Sequence, residues 1–152
     1  MRELVAELPS DDPVGLFELG CSNDSTGHSV LAVPMYRAAL AGGLVGLRRR
    51  RATIQLASSL RNIGEPEEAA ALLASEALQP EDELSSAVSA FRALALSDLG
   101  QEREALGHAL MALSKHLPRY NASLARYAAQ LVSSKPEATR HESNPSIERR
   151  DP

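Results

Sequence analysis

The chain has 152 residues, a length that suits one domain with a hydrophobic core. Hydrophobic residues make up 43% and aromatic residues only 3%, and because alanine and leucine, two strong helix formers, supply most of the apolar side chains, the composition favours an all-α protein over a sheet protein. The formal net charge of −4 provides no basic excess, which argues against nucleic acid or an anionic membrane as a partner.

The single cysteine and the N-terminal sequence bear on the cellular compartment of the protein. Cys21 is the only cysteine, so it forms no intramolecular disulfide, and a reducing compartment fits best. The first residues lack the apolar run of a signal peptide, and no stretch is apolar enough to span a bilayer. We therefore expect a cytoplasmic protein with no membrane partner.

The first predicted elements are separated by proline and glycine. Residues 1–10 form a short N-terminal segment with one predicted helix. Asp12 followed by Pro13 is a typical N-cap and first helical position, so a longer helix begins there. Ser29 is predicted to cap the next helix, which ends at Gly42.

Two more helical hairpins are predicted downstream. The second begins near Leu47, turns at Gly64 and stops at Pro80. Pro66 suits the first position of its second helix. The third hairpin repeats the same scheme and turns at Gly100.

A last helix and a polar tail end the chain. The helix carries apolar residues at steps of four, three and four, namely Tyr120, Leu124, Tyr127 and Leu131. We expect it to cap the helical domain, which spans residues 11–133. Residues 134–152 are almost free of apolar side chains, so we expect that tail to be disordered.

A glycine followed five residues later by an alanine occurs three times. Gly27, Gly64 and Gly100 stand 37 and 36 residues apart, and their partners are Ala32, Ala69 and Ala105. A period in this range is typical of stacked helical hairpins.

The hairpins resemble tetratricopeptide repeats, helix–turn–helix units with small residues where the two helices cross. Such residues are Gly20, Ala57 and Ala93 in the first helices and Ala32, Ala69 and Ala105 in the second. The resemblance implies a right-handed solenoid of helical hairpins, with about three repeats and a C-terminal capping helix. The longer blocks DDPVGLFELG, YRAALAGGL, RRRRATIQLASSLRN and LPRYNASLARYAAQL are similar to a small bacterial group of tetratricopeptide-like proteins.

Two positions depart from this pattern. Arg92 stands where the first two repeats have Leu19 and Leu56. Glu76 replaces the small residue that the other repeats carry as Ala39 and Ala112.

The resemblance implies a non-catalytic module that binds a protein or peptide in a concave groove lined by the first helix of each hairpin. The groove positions that we assign to partner binding are Asp24, Arg51, Ile54, Ser58, Arg61, Asn62, Leu94 and Asp98. Arg61 and Asn62 suit a peptide carboxylate or backbone. Alternatively, Arg61 pairs with Asp24 or Asp98 inside the protein.

Residues 48–51 are four consecutive arginines. One interpretation is a site for an anion or an acidic peptide, and the other is a solvated first turn of a helix. Four cations near a helix N-terminus oppose the helix dipole. We therefore expect compensation by acidic residues, either from residues 81–83 or from another chain.

No motif for catalysis or for a cofactor is recognisable. His108 and His116 stand eight residues apart, too far for one metal ion without a ligand between them, and we predict neither metal nor cofactor. A glycine-rich phosphate loop and a nucleophile elbow are also missing from the sequence. Self-association as a homodimer remains an alternative function, and a small helical enzyme is a less favoured one.

Overall fold

The computed structural model of the chain describes residues 11–133, which form seven helices and no strand. The helices are α1 (Pro13–Asp24), α2 (Ser29–Ala41), α3 (Gly46–Asn62), α4 (Pro66–Glu76), α5 (Ser85–Asp98), α6 (Glu102–Ser114) and α7 (Asn121–Ser133). The predicted helix within residues 1–10 and the tail 134–152 lie outside the described residues. The described part of the chain is all-α, as the composition predicts.

The first two helices begin differently. At α1 the carboxylate of Asp12 accepts a hydrogen bond from the backbone N–H of Gly15 at 2.7 Å, which confirms the predicted cap. The helix α2 is found where it was predicted, but its predicted cap was wrong, because His28 is the N-cap residue and Ser29 is the first residue of the helix. The Ser29 hydroxyl is used elsewhere, since it donates to Asp24 Oδ1 at 3.2 Å.

The same turn closes each hairpin. Gly27, Gly64 and Gly100 have φ angles of +79°, +86° and +71°, in the region that glycine adopts without strain. The residue after each glycine donates its N–H to a carbonyl five residues earlier in the first helix, at 2.9 Å in every case. This is the hydrogen bond of a Schellman C-cap, so the glycine repeat marks a repeated turn.

The six helices from α1 to α6 pair into hairpin 1 (α1 and α2), hairpin 2 (α3 and α4) and hairpin 3 (α5 and α6), and consecutive hairpins stack through α2 on α3 and α4 on α5. The turn glycines fix the correspondence between hairpins at 37 residues for the first step and 36 for the second.

Small residues let the paired helices cross closely. The crossing residues predicted from the sequence, Gly20, Ala57 and Ala93 with Ala32, Ala69 and Ala105, are all buried. At Gly20 a Cβ atom would lie 2.7 Å from Cε1 of Tyr36, so even alanine does not fit. The largest fully buried side chains of the continuous core are Phe17, Tyr36, Leu60, Leu73 and Val88.

Helix α7 packs against α6 and makes no contact with α5. The two helices meet at Gly107, where a Cβ atom would lie 2.7 Å from Cγ2 of Val132 and 3.0 Å from the carbonyl oxygen of Ala128. The residues that correspond to Gly107 in hairpins 1 and 2 are Pro34 and Ala71, and both are exposed. The last helix therefore lies on a side of its hairpin that the earlier hairpins leave in solvent.

Candidate functional site

Several polar groove residues are engaged in hydrogen bonds and salt bridges within the protein. Arg61 Nε forms a salt bridge with Asp98 Oδ2, which joins α3 to α5. Asn62 donates from Nδ2 to the hydroxyl of Ser29 at 3.2 Å. Of the two predicted roles for Arg61, the structure shows the internal pair with Asp98.

Asp24 joins three helices. Its Oδ1 accepts hydrogen bonds from the hydroxyl of Ser29 at 3.2 Å and from that of Ser59 at 2.9 Å. Since α1, α2 and α3 meet at this carboxylate, Asp24 serves the contact between hairpins 1 and 2.

The remaining groove positions differ in accessibility. Ile54 is buried in the core and Ser58 is half-buried. The guanidinium of Arg51 lies over the ring of Phe17, 5.4 Å from its centroid. Leu94, by contrast, is 47% exposed, so the apolar part of the groove that solvent reaches lies in hairpin 3.

Leu94 belongs to an apolar surface that extends onto α6. Leu106 is 52% exposed, whereas its counterpart in hairpin 1, Val33, is 5% exposed beneath the next hairpin. The counterpart in hairpin 2, Ala70, packs against buried residues of hairpin 3. A shallow depression of about 450 Å³ covers this surface. We call it the end face, and it is lined by Ala90, Ala93, Leu94, Ser97, Glu102, Ala105, Leu106 and Ala109.

The position of α7 explains why the end face is open. In hairpins 1 and 2 the corresponding surfaces are covered by α3 and α5. Helix α7 follows hairpin 3 in the chain but packs on the Gly107 side of α6. The expected last helix is present, but it does not cover this face as a cap would, and Leu94 and Leu106 stay exposed.

Sequence reasoning assigned the groove to the first helices only, and so it missed Leu106. The signal in the sequence was the repeat itself. Val33, Ala70 and Leu106 occupy one register position, and a leucine at the last copy of an inter-hairpin contact indicates an apolar surface with no following hairpin to cover it.

The arginine cluster is largely part of the scaffold. Arg50 is 4% exposed, so the interpretation as a solvated helical turn was wrong for this residue. Its Nε lies 3.2 Å from Asp82 Oδ1 and 3.6 Å from Glu76 Oε1, and its Nη1 donates to the carbonyl of Pro80 at 3.0 Å. Arg49 binds Glu76 at 2.6 Å.

Acidic compensation of the cluster was expected from residues 81–83, and Asp82 supplies part of it. Glu76 supplies the rest. In the sequence, the glutamate at position 76, where the other repeats have alanine, was the feature that could have indicated this salt bridge.

The described residues offer little for metal or nucleophile chemistry. Within residues 11–133 no group of three or more His, Cys, Asp or Glu side chains is arranged to hold a metal ion. Burial raises the pKa of the Cys21 thiol, which lowers the fraction of reactive thiolate. In the same part of the chain, no helix is long and apolar enough to cross a membrane.

Comparison with known protein families gives a match over most of the chain. A family model described as "Tetratrico peptide repeat" matches residues 13–131. The matched segment begins at the first residue of α1 and ends within α7. No curated protein and no solved structure matches the chain.

Proposed function

Because the chain belongs to the tetratricopeptide repeat family, whose repeats generally mediate protein–protein interactions, we propose that it is a non-catalytic interaction module. The partner surface is the end face together with the adjoining groove of hairpin 3. The observation that carries this proposal is the exposure of Leu94 and Leu106. The counterparts of Leu106, Val33 and Ala70, pack beneath the next hairpin, and those of Leu94, Cys21 and Ser58, are half-buried.

The internal repeat identifies what kind of structure the end face accepts. The corresponding surfaces of hairpins 1 and 2 each receive the first helix of the following hairpin. An amphipathic α-helix of the partner is therefore the occupant that fits. Burying the exposed halves of Leu94 and Leu106 beneath such a helix contributes about 2 kcal/mol, enough to matter for affinity and too little to specify a partner alone.

Specificity would come from the polar rim. Ser97 and Glu102 line the end face near the turn of hairpin 3. At the position that corresponds to Ser97, hairpin 2 uses Arg61 to bind Asp98 on the incoming helix. At the end face this arginine is replaced by Ser97, and the nearby charged residue is the acidic Glu102. We therefore expect the partner helix to carry a basic residue there.

A paired substitution tests the proposal. In Leu94→Glu/Leu106→Glu both exposed leucines become charged, so docking of an apolar helix face is strongly disfavoured. The matched control is Leu78→Glu, because Leu78 is an exposed leucine outside the end face. Proteins captured from the source cells by the unsubstituted chain and by both variants are compared by quantitative mass spectrometry.

The expected result is a partner that the unsubstituted chain and Leu78→Glu recover equally and that the paired variant loses. Equal recovery by all three would show that the end face is not the partner surface. Circular dichroism of each variant confirms that the helices are intact.

A second copy of the chain is the alternative occupant, because an exposed apolar face also suits self-association. Light scattering over a concentration series distinguishes the two cases. A dimer that the paired variant abolishes would assign the end face to self-association. A protein that stays monomeric at all concentrations would rule out self-association and support a different protein as the partner.

A further inference from the structure

The two junctions between hairpins are internal examples of the helix docking proposed for the end face. Helix α3 packs on hairpin 1, and α5 packs on hairpin 2. The end face is the corresponding surface of hairpin 3, so the features that both incoming helices share are expected in the helix of its partner. The inference drawn from them rests on the proposed function and specifies the partner helix more closely.

The incoming helix at the second junction runs parallel to the first helix of the preceding hairpin. Near the N-terminal ends of the two helices, Nη2 of Arg50 on α3 donates to the hydroxyl of Ser85 on α5 at 3.3 Å. At their C-terminal ends, Arg61 of α3 pairs with Asp98 of α5. A partner helix in the same arrangement therefore directs its C-terminal end toward the turn of hairpin 3, at Gly100.

Each incoming helix carries a small, fully buried residue close to its C-terminal end. This residue is Ser59 in α3 and Ala95 in α5. The hydroxyl of Ser59 donates to Asp24 of hairpin 1, so the position faces the preceding hairpin. Seven residues earlier, on the same face of each helix, stand the buried apolar residues Ala52 and Val88. Val88 and Ala95 belong to the core that is continuous with hairpins 1 and 2.

The last residue of each incoming helix is polar and bonds the preceding hairpin. It follows the small residue by three positions, as Asn62 in α3 and Asp98 in α5. Asn62 donates from Nδ2 to the hydroxyl of Ser29 at 3.2 Å, and Asp98 pairs with Arg61. The polar residue thus complements the group that the preceding hairpin presents, an amide donor for a hydroxyl oxygen and a carboxylate for a guanidinium.

Hairpin 3 presents a carboxylate at this place. By the spacing of the turn glycines, the residue that corresponds to Ser29 is Glu102, and the residue that corresponds to Arg61 is Ser97. Both Ser97 and Glu102 line the end face. The group that complements a hydroxyl beside a carboxylate is a cation.

We propose that the partner of the end face is a helix with a defined pattern: an apolar residue, then a small residue seven positions later, then Lys or Arg three positions after that. The small residue allows the helix to approach hairpin 3 closely. The basic residue lies in the last turn, where the helix dipole also favours a cation, and it pairs with Glu102.

Helical peptides displayed on phage test this pattern against the full chain. Each peptide has about 20 residues, enough for a helix to form in water, and the residues of one face are randomised in an alanine-rich background. Clones that bind the unsubstituted chain and fail to bind Leu94→Glu/Leu106→Glu are sequenced, because those clones occupy the end face. We expect them to share the small residue and, three positions closer to the C-terminus, Lys or Arg.

The outcome separates this inference from the proposed function. Clones that depend on the end face but lack the basic residue at that position, or carry it in the first turn, would overturn the pattern and leave the end face as a partner surface. A selection without any clone that depends on the end face would count against both.

Reversing one charge connects the pattern to Glu102. In Glu102→Lys the ion pair is lost and repulsion replaces it, so a selected peptide with lysine at the basic position should bind about fivefold or more weakly. The same peptide with glutamate in place of that lysine should prefer Glu102→Lys over the unsubstituted chain. Fluorescence anisotropy of labelled peptides measures both affinities.

The matched control is Glu83→Lys, which changes the net charge equally at an exposed residue outside the end face. It should bind the lysine peptide as the unsubstituted chain does. Equal weakening in Glu83→Lys and Glu102→Lys would show general charge attraction and would overturn the pairing with Glu102.

Discussion

His108 shows how a single buried residue links the stability of the protein to pH. It lies between Arg92 on α5 and Glu104 on its own helix, and it is almost fully buried. Its pKa is lowered chiefly by burial and next by Arg92, while Glu104 acts in the opposite direction. The folded protein therefore favours the neutral imidazole.

This environment predicts a loss of stability in acid. Below the ordinary histidine pKa of 6.5 the unfolded chain binds a proton that folded His108 resists, so the free energy of unfolding falls as the pH falls. His108→Gln should reduce the difference in unfolding free energy between about pH 7.5 and about pH 5.5, measured by urea denaturation in chloride buffer.

The control for that measurement is His116→Gln, because His116 is exposed. It should leave the pH dependence of stability unchanged. An identical pH dependence in the unsubstituted chain and in His108→Gln would contradict the assignment.

The fate of Arg61 illustrates what sequence reasoning can and cannot provide at single residues. Its two candidate partners, Asp24 and Asp98, both lie on neighbouring first helices, so the sequence placed all three in one region. The choice between them depends on side-chain distances. Asp24 is bound by Ser29 and Ser59, and Arg61 pairs with Asp98.

Helix boundaries follow the sequence closely where the cause is local. The Asp12 cap, the Pro66 start and the glycine turns are all found as predicted. The connection between hairpins 2 and 3 differs, because α4 ends at Glu76 rather than at Pro80. Arg50 of α3 binds the carbonyl of Pro80 and the carboxylate of Asp82, and such a long-range contact leaves no periodic signal in the sequence.

The salt bridges of Glu76 hold these elements together, and their removal should be costly. Glu76→Ala leaves Arg50 buried with less compensation, so we expect a loss of about 3 kcal/mol in the free energy of unfolding. The matched control is Glu68→Ala, which breaks the half-exposed pair of Arg37 and Glu68 and should cost less than about 1 kcal/mol.

Chemical denaturation followed by circular dichroism measures both losses. Similar values for the two glutamates would mean that burial of Glu76 adds nothing to its contribution.

Across the whole molecule, the fold itself was the most predictable property, because it rests on a pattern that recurs three times. The all-α class follows from the composition, the hairpins from the glycine and alanine spacing, and the family from the resemblance to tetratricopeptide repeats, and all three are confirmed. The end face was not predicted. Its exposure depends on where α7 packs. Each of α1, α3 and α5 is followed by the second helix of its hairpin, whereas no helix follows α7 within residues 11–133.

Gly107 controls that placement. Gly107→Ala introduces a methyl group that meets Val132 and the backbone of Ala128, so α7 should be held less firmly against α6. Overpacking of about 1–3 kcal/mol corresponds to roughly tenfold faster amide exchange in residues 121–133, measured by hydrogen exchange with mass spectrometry.

Ala71→Leu is the control, since it enlarges the corresponding exposed residue of hairpin 2 and should not alter exchange in α7. Unchanged exchange in Gly107→Ala would show that the close contact at this glycine does not hold α7 in place.

The recurrent turn and its constant register also bear on how such a chain can lengthen. Each hairpin brings its own glycine turn and its own crossing residues, so a duplicated copy of a hairpin-coding segment would encode a unit that already matches its neighbours. Duplication of hairpin 2 in place would pack α4 of one copy on α3 of the next, and each of these helices already packs against a neighbouring hairpin in the protein. A longer chain with additional hairpins could therefore arise by duplication, because the helix faces that pack between hairpins already exist in the protein.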